Sequence, residues 1–165
     1  MKIYDAEQRL AFSQWLSDNH DKLANILWTD EAYLHLNGDI SRYHCRIWSC
    51  EKPTNYLTKS LHPQKVCVWF GFSAKFSLTP FFFGSTVNQD NYLDMLQSHV
   101  RPQLAQKRKL ASTIFMQDGA PPHFATEVRI SIEHFQLIVI SRGCDIVWPS
   151  RSPDINPLDY WFGAT

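Results

Sequence analysis

The stretch Val66-Cys67-Val68-Trp69-Phe70-Gly71-Phe72 is apolar at nearly every position, and that run constrains everything around it. A strand facing solvent on one side would alternate polar with apolar residues, whereas an unbroken apolar run is most simply a strand covered on both faces. The rest of the chain supplies strands to extend the sheet and helices to cover it. Ala6 to Leu16 carries Phe12, Trp15 and Leu16 on one side at helical spacing. Ile26-Leu27-Trp28 opens a strand that holds Asp30 and runs on through Tyr33, Leu34 and Leu36 to a turn at Asn37-Gly38-Asp39. Beyond it, Tyr43, Cys45 and Ile47 alternate with polar neighbours, which predicts an antiparallel hairpin partner.

Pro80 to Phe83 adds a short strand. From Asn91 the period changes, and Tyr92, Met95, Leu96, Val100 and Leu104 predict a helix that Pro102 kinks or ends, followed by basic Lys107-Arg108-Lys109. Thr113 to Gln117 and Leu137 to Ile140 are strands around a helix marked by Phe124, Val128, Ile132 and Phe135. Strands that first meander and then alternate with helices predict one α/β domain with a mixed sheet over residues 1–165.

The chain has 165 residues, with 16 Lys+Arg against 16 Asp+Glu. Proteins held by non-specific phosphate contacts usually carry a basic excess, and this one has none overall. A composition 44% hydrophobic and 14% aromatic excludes a disordered chain. The first residues hold no apolar run of signal-peptide type, and Lys75 and Pro80 interrupt the most apolar stretch. An intracellular, soluble protein with no membrane partner is expected. Cys45, Cys50, Cys67 and Cys144 form no CxxC pair; His44 beside Cys45 raises a metal site, and ordinary reduced thiols are the simpler alternative.

Three acids stand apart by position. Asp30 sits inside an apolar strand, where a carboxylate either faces solvent or needs a partner or a cation. Asp118 follows the strand ending at Met116 and opens the loop Asp118-Gly119-Ala120-Pro121-Pro122-His123, either as a turn acid or as a ligand at the mouth of the sheet. Asn156 suits an N-cap and Pro157 the first helical position, so Asp159 falls third, where it either favours the helix dipole or faces a site.

In this order, WTDEAYLHL, KVCVWFGFS, MQDGAPPH and VWPSRSPDINPLDYWFG resemble the catalytic domain of mariner-type DDE/DDD transposases, from about Asn25 onward. The resemblance implies a ribonuclease H-like fold, a mixed five-stranded sheet with helices on both faces. It implies an enzyme that cuts double-stranded DNA at element ends and joins those ends to target DNA, working in the nucleus as a homodimer. Carried over by position, it makes Asp30, Asp118 and Asp159 the catalytic, metal-binding acids. Asp154 of Ser152-Pro153-Asp154, a rival for the third role, becomes a structural loop residue.

The cofactors implied are two divalent cations, Mg2+ with Mn2+ as substitute, and no small-molecule cofactor. Hard cations that keep several waters need only one or two carboxylates each, and an ion pair about 3.5–4 Å apart suits in-line phosphoryl displacement. By resemblance Asp30 bridges both ions, with Asp118 on one and Asp159 on the other. Glu31 points to the opposite strand face and is expected to be a surface acid or a supporting one. His123, Arg151 and Lys65 are candidates for contact with DNA, with bracing of the loop the alternative for His123. The cluster Arg101, Lys107, Arg108 and Lys109 could do the same or simply be solvated, while Trp148, Pro149 and Trp161 are expected to pack. Family members carry N-terminal helix-turn-helix units and a longer last helix, so the chain is expected to be a fragment or truncated copy. A catalytically silent relic that still binds DNA or a protein partner is the alternative function.

Overall fold

In the computed structural model, residues 3–36, 64–135 and 137–161 are described. The sheet is organised by β1 (Ile26–His35), whose two halves have different neighbours. Its first residues pair in parallel with β4 (Ile114–Met116), from Ile26↔Ile114 to Trp28↔Met116, and its remainder pairs antiparallel with β2 (Lys65–Phe72), from Trp28↔Phe72 to His35↔Lys65. β3 (Phe81–Phe83) lies outside β2, while β5 (Ile138–Ser141) and β6 (Ile146–Val147) continue in parallel beyond β4. The order is β3-β2-β1-β4-β5-β6, one strand more than the five expected, the addition being the two-residue β6. The turn at Asn37-Gly38-Asp39 and the partner strand at Tyr43, Cys45 and Ile47 lie outside the described residues; among those described, β2 is the antiparallel partner of β1.

Strand alternation divides the core in two. On one face, Leu27, Cys67, Trp69 and Phe115 meet Tyr92 and Met95 of α2 (Gln89–Met95), Leu104 of α3 (Arg101–Gln106) and Val128 and Ile132 of α4 (Thr126–His134). On the other, Ile26, Ile114, Met116 and Ile140 meet Trp148 and Phe12 of α1 (Ile3–Asp18). Every residue of β4 is therefore buried, and β1 is covered on both sides where it pairs with β4. In β2, Cys67, Val68 and Trp69 are buried, while Phe70 and Phe72 are half-buried and stack on one another at 6.5 Å.

Pro102 does not end its helix. The chain passes from α2 through a π turn, Leu96–Val100, in which the Arg101 N–H donates to the Leu96 carbonyl. Pro102 then falls in the first turn of α3, where a missing N–H leaves no bond unmade. The wider turn absorbs a ring that an uninterrupted α-helix would push against the preceding carbonyl.

Phe12 carries much of the attachment of α1, lying edge-on to Trp148 at 5.3 Å in the cluster with Ile26, Ile114, Met116 and Ile140. Phe12→Ala is expected to lower the unfolding free energy by about 3–5 kcal/mol. Urea unfolding should show this as a lower midpoint with an unchanged slope.

Candidate active site

Past the Trp28↔Met116 pair, β4 ends and its chain becomes a loop while β1 runs on. The Thr29 hydroxyl donates to the Met116 carbonyl at 2.6 Å, clamping the point where the two part. Asp30 and Asp118 are each two residues beyond that last pair, so the register alone sets them side by side on strands spaced about 4.8 Å apart. Asp159 arrives from the other end of the chain, in the first turn of α5 (Pro157–Trp161), a helix that contacts β1. All three line one open cleft of about 370 Å³, with Asn156, Ser150 and Arg151 among its other walls.

Asn156 ties the arrangement together. Its Oδ1 accepts the Leu158 N–H at 3.1 Å, the expected N-cap, and its Nδ2 donates to Asp30 Oδ2 at 3.0 Å. The same buried amide thus fixes the helix that carries Asp159 and one oxygen of Asp30. Capping spacing in the sequence marks the first role; nothing local marks the second.

His123 is buried behind Asp118. Its Nδ1 lies 2.7 Å from Asp118 Oδ1, its Nε2 lies 3.3 Å from Glu31 Oε1, and its ring packs on Tyr92 with centroids 4.2 Å apart. The Tyr92 hydroxyl donates to Gln117 Oε1 at 2.8 Å, and Gln117 Nε2 donates to the His123 carbonyl at 3.1 Å. His123 is placed to brace the loop, and Glu31 supports it from the opposite face of β1. Tyr92 and Gln117 read in the sequence only as helix and strand positions, because their polar contacts depend on tertiary packing.

The remaining candidates sit differently. Arg151 lines the cleft, with positive φ (57°), and its guanidinium pairs with Asp5 of α1. Asp154 is held by Arg9 of α1 at 2.6 and 2.9 Å, and Arg9 also donates to Ser152 Oγ at 2.8 Å, matching a structural loop acid. Lys65 lies at the far end of β2, 4.0 Å from the centre of the Tyr33 ring, away from the cleft. Arg101 faces the Phe135 ring, and Lys107, Arg108 and Lys109 follow α3; none of these lines the cleft. Trp148 packs, edge-on to Phe12 and Trp28.

The electrostatics follow from like charges in a half-enclosed space. Burial, then Asp159, Glu31 and Asp118, push the Asp30 carboxyl up to about 8, against the Glu31 N–H that donates to it. Burial also raises Asp159, with Asp118 adding to it and hydrogen bonds to Asp30 and Asn156 opposing. Asp118 moves the other way: burial would raise it, but the His123 hydrogen bond and charge and the Ala120 N–H hold it below its ordinary value. For His123, burial pulls downward, yet Glu31 and Asp118 outweigh it and bring the imidazole to about 10.

These donors fit a hard divalent cation. They are carboxylate oxygens opening on solvent, and Asp30 carries a negative charge that its surroundings leave poorly balanced. Among the described residues no three His, Cys, Asp or Glu side chains close into a ready-made cage. The set suits ions that keep waters and take further ligands from a substrate.

Because native Asp30 titrates at about 8 rather than the ordinary 3.8, the native metal-free protein binds a proton across that interval that the unfolded chain has released. Stability is expected to fall as pH rises from about 4 to about 8. His123 adds a loss of the same sign between 6.5 and about 10, and Asp118 gives the opposite slope only at the acid end. Urea midpoints at about pH 5 and about pH 8 should differ clearly in the parent and less in Asp30→Asn, which keeps the His123 share. Equal slopes in both would show that Asp30 is not the group responsible.

No protein-family model matches the chain. It is 28% identical over 141 residues to the Tc3 transposase of Caenorhabditis elegans, covering 85% of this chain and 40% of that protein. To the Tcb1 transposase of Caenorhabditis briggsae it is 28% identical over 151 residues, covering 89% of this chain and 52% of that protein. The fold matches the Mos1 transposase paired-end complex with left transposon end at a TM-score of 0.77, with 22% identity over 97% of this chain and 47% of that one. It matches the Mos1 transposase catalytic domain with raltegravir and Mg at 0.69, with 21% identity over 97% and 69%. The chain spans 40% to 52% of the length of the curated relatives it matches. In sequence it is similar to transposases of the Tc1/mariner type, and in structure it has the ribonuclease H-like fold seen in a mariner transposase catalytic domain.

Proposed function

We propose that the chain is a metal-dependent transposase catalytic domain that cleaves double-stranded DNA at element ends and transfers the freed strands into target DNA. The observation that carries the reading is the convergence of Asp30, Asp118 and Asp159, from β1, the loop after β4 and α5, on one cleft. Relatives transposing DNA and structural neighbours solved on transposon ends and with Mg or Mn support it. A paired-end assembly needs a site for each end, so a homodimer is part of the proposal, as is action on chromosomal DNA in the nucleus.

Asp30, Asp118 and Asp159 would hold two divalent cations. When bound, such a pair supplies activation of the attacking oxygen and stabilisation of the leaving one. The protein's own groups do the positioning. His123 holds Asp118 ionised and oriented, Asn156 orients Asp30, and Arg151 stands at the rim where a phosphate would enter. Hydrolysis of the first phosphodiester leaves a 3′-hydroxyl, whose oxygen then attacks a target phosphorus, forming a new phosphodiester as the target's P–O3′ bond breaks and its 3′-hydroxyl is released. Neither displacement needs a covalent bond to the protein.

Purified protein with Mg2+ or Mn2+ is expected to nick supercoiled plasmid, and Asp118→Ala or Asp159→Ala to abolish nicking. Nicking that survives both changes would sink the assignment. Calorimetric titration should show two-site Mn2+ binding; absence of binding, with DNA affinity retained, would identify a silent relic instead. His123→Ala is expected to weaken Mn2+ affinity by about 10–100-fold, the scale typical of groups that orient a ligand.

A further inference from the structure

Beside the carboxylate cleft runs a second groove, of about 520 Å³, which shares Trp148, Ser150 and Arg151 with it and extends between α1 and the turn after β5. Its far walls are cationic and aromatic where the cleft is acidic. Phe124 stands 36% exposed, with the Arg142 guanidinium 5.0 Å and the Arg129 guanidinium 5.2 Å from its ring centre. Gly143 adopts φ +72°, and a Cβ there would come within 2.9 Å of the Phe124 ring, so the turn leaves room only for that ring.

Arg151, in the left-handed region and held by Asp5, marks the junction of groove and cleft.

These parts together match one nucleotide. Guanidiniums recognise a phosphate, and an exposed aromatic side chain stacks a base. A base inside a duplex is stacked on both faces and offers none to an aromatic ring, so the fit is to an unpaired one. We propose that this groove holds a single unpaired nucleotide of the DNA strand leaving the catalytic cleft. Its phosphate lies between Arg142 and Arg151, and its base lies against Phe124. The inference rests on the DNA-processing reading above and adds to it where the strand goes.

Fluorescence anisotropy of a labelled duplex, either blunt or with a short single-stranded overhang, tests the proposal. The overhang is expected to tighten binding by on the order of tenfold, the scale of one base stacked on one aromatic ring. That preference should vanish in Phe124→Ala and in Arg142→Gln and return in Phe124→Tyr. It should persist in Phe82→Ala, which alters an exposed phenylalanine on β3 at the opposite edge of the sheet. Equal affinity of the parent protein for both probes, or a preference that survives Phe124→Ala, overturns the proposal. If it falls while Asp118-dependent nicking remains, the catalytic reading stands alone. A Phe124-dependent preference without nicking would leave the nucleotide site standing and the catalytic reading refuted.

Discussion

Mutual repulsion among Asp30, Asp118 and Asp159 is the constraint on which the rest of the structure depends. Water would keep three such carboxylates apart, and here the fold gathers them into one half-enclosed cleft. Each is restrained by a different device. Asp118 has the charged imidazole of His123 and the Ala120 N–H; Asp30 has the Asn156 amide and the Glu31 N–H; Asp159 rides on a helix whose cap is that same asparagine. The restraint is uneven. Asp118 is the better compensated acid and Asp30 the worse, so the site is asymmetric before any cation or substrate arrives.

Two-sided burial of the sheet makes that geometry stiff. β4 is only three residues long, yet each of them is buried, and its parallel register with β1 decides where Asp118 stands relative to Asp30. A slip of one residue would turn one carboxylate into the opposite core. His123, Glu31 and Tyr92 occupy that opposite side, so the acids on one face are braced from the other through the sheet. The brace is itself charged and buried, and breaking one member of such a set costs more than the net contribution of the set.

How far the site was legible in the sequence depended on range. Periodicity and caps disclosed what is local: the strand at Val66–Phe72, though buried on both faces only near its centre, the helix carrying Phe12, and the cap that places Asp159 in a first turn. Pro102 misled only in part, because a π turn lets a helix pass a proline that the usual rule would take as an end. The Asn156 bond to Asp30, the Tyr92–Gln117 link and the Arg9–Asp154 pair were invisible. Each spans from 25 to 145 positions, and no pattern of neighbouring residues encodes a partner so distant. Lys65 shows the converse: its place beside a core strand is legible, but strand length sets it at the end of the sheet away from the cleft, which the sequence does not show.

The clamps of α1 on the loop before α5 also bear on the order in which the protein assembles. Arg9 to Asp154 and Asp5 to Arg151 join segments 145 and 146 positions apart. Closing so long a loop is entropically costly and contributes little until the sheet between the two segments has formed. The sheet and its helices can therefore form first, with the third carboxylate docking last. A chain caught partway would have a folded body with the third carboxylate not yet in place, so the full acidic set would exist only once the final contacts of folding are made.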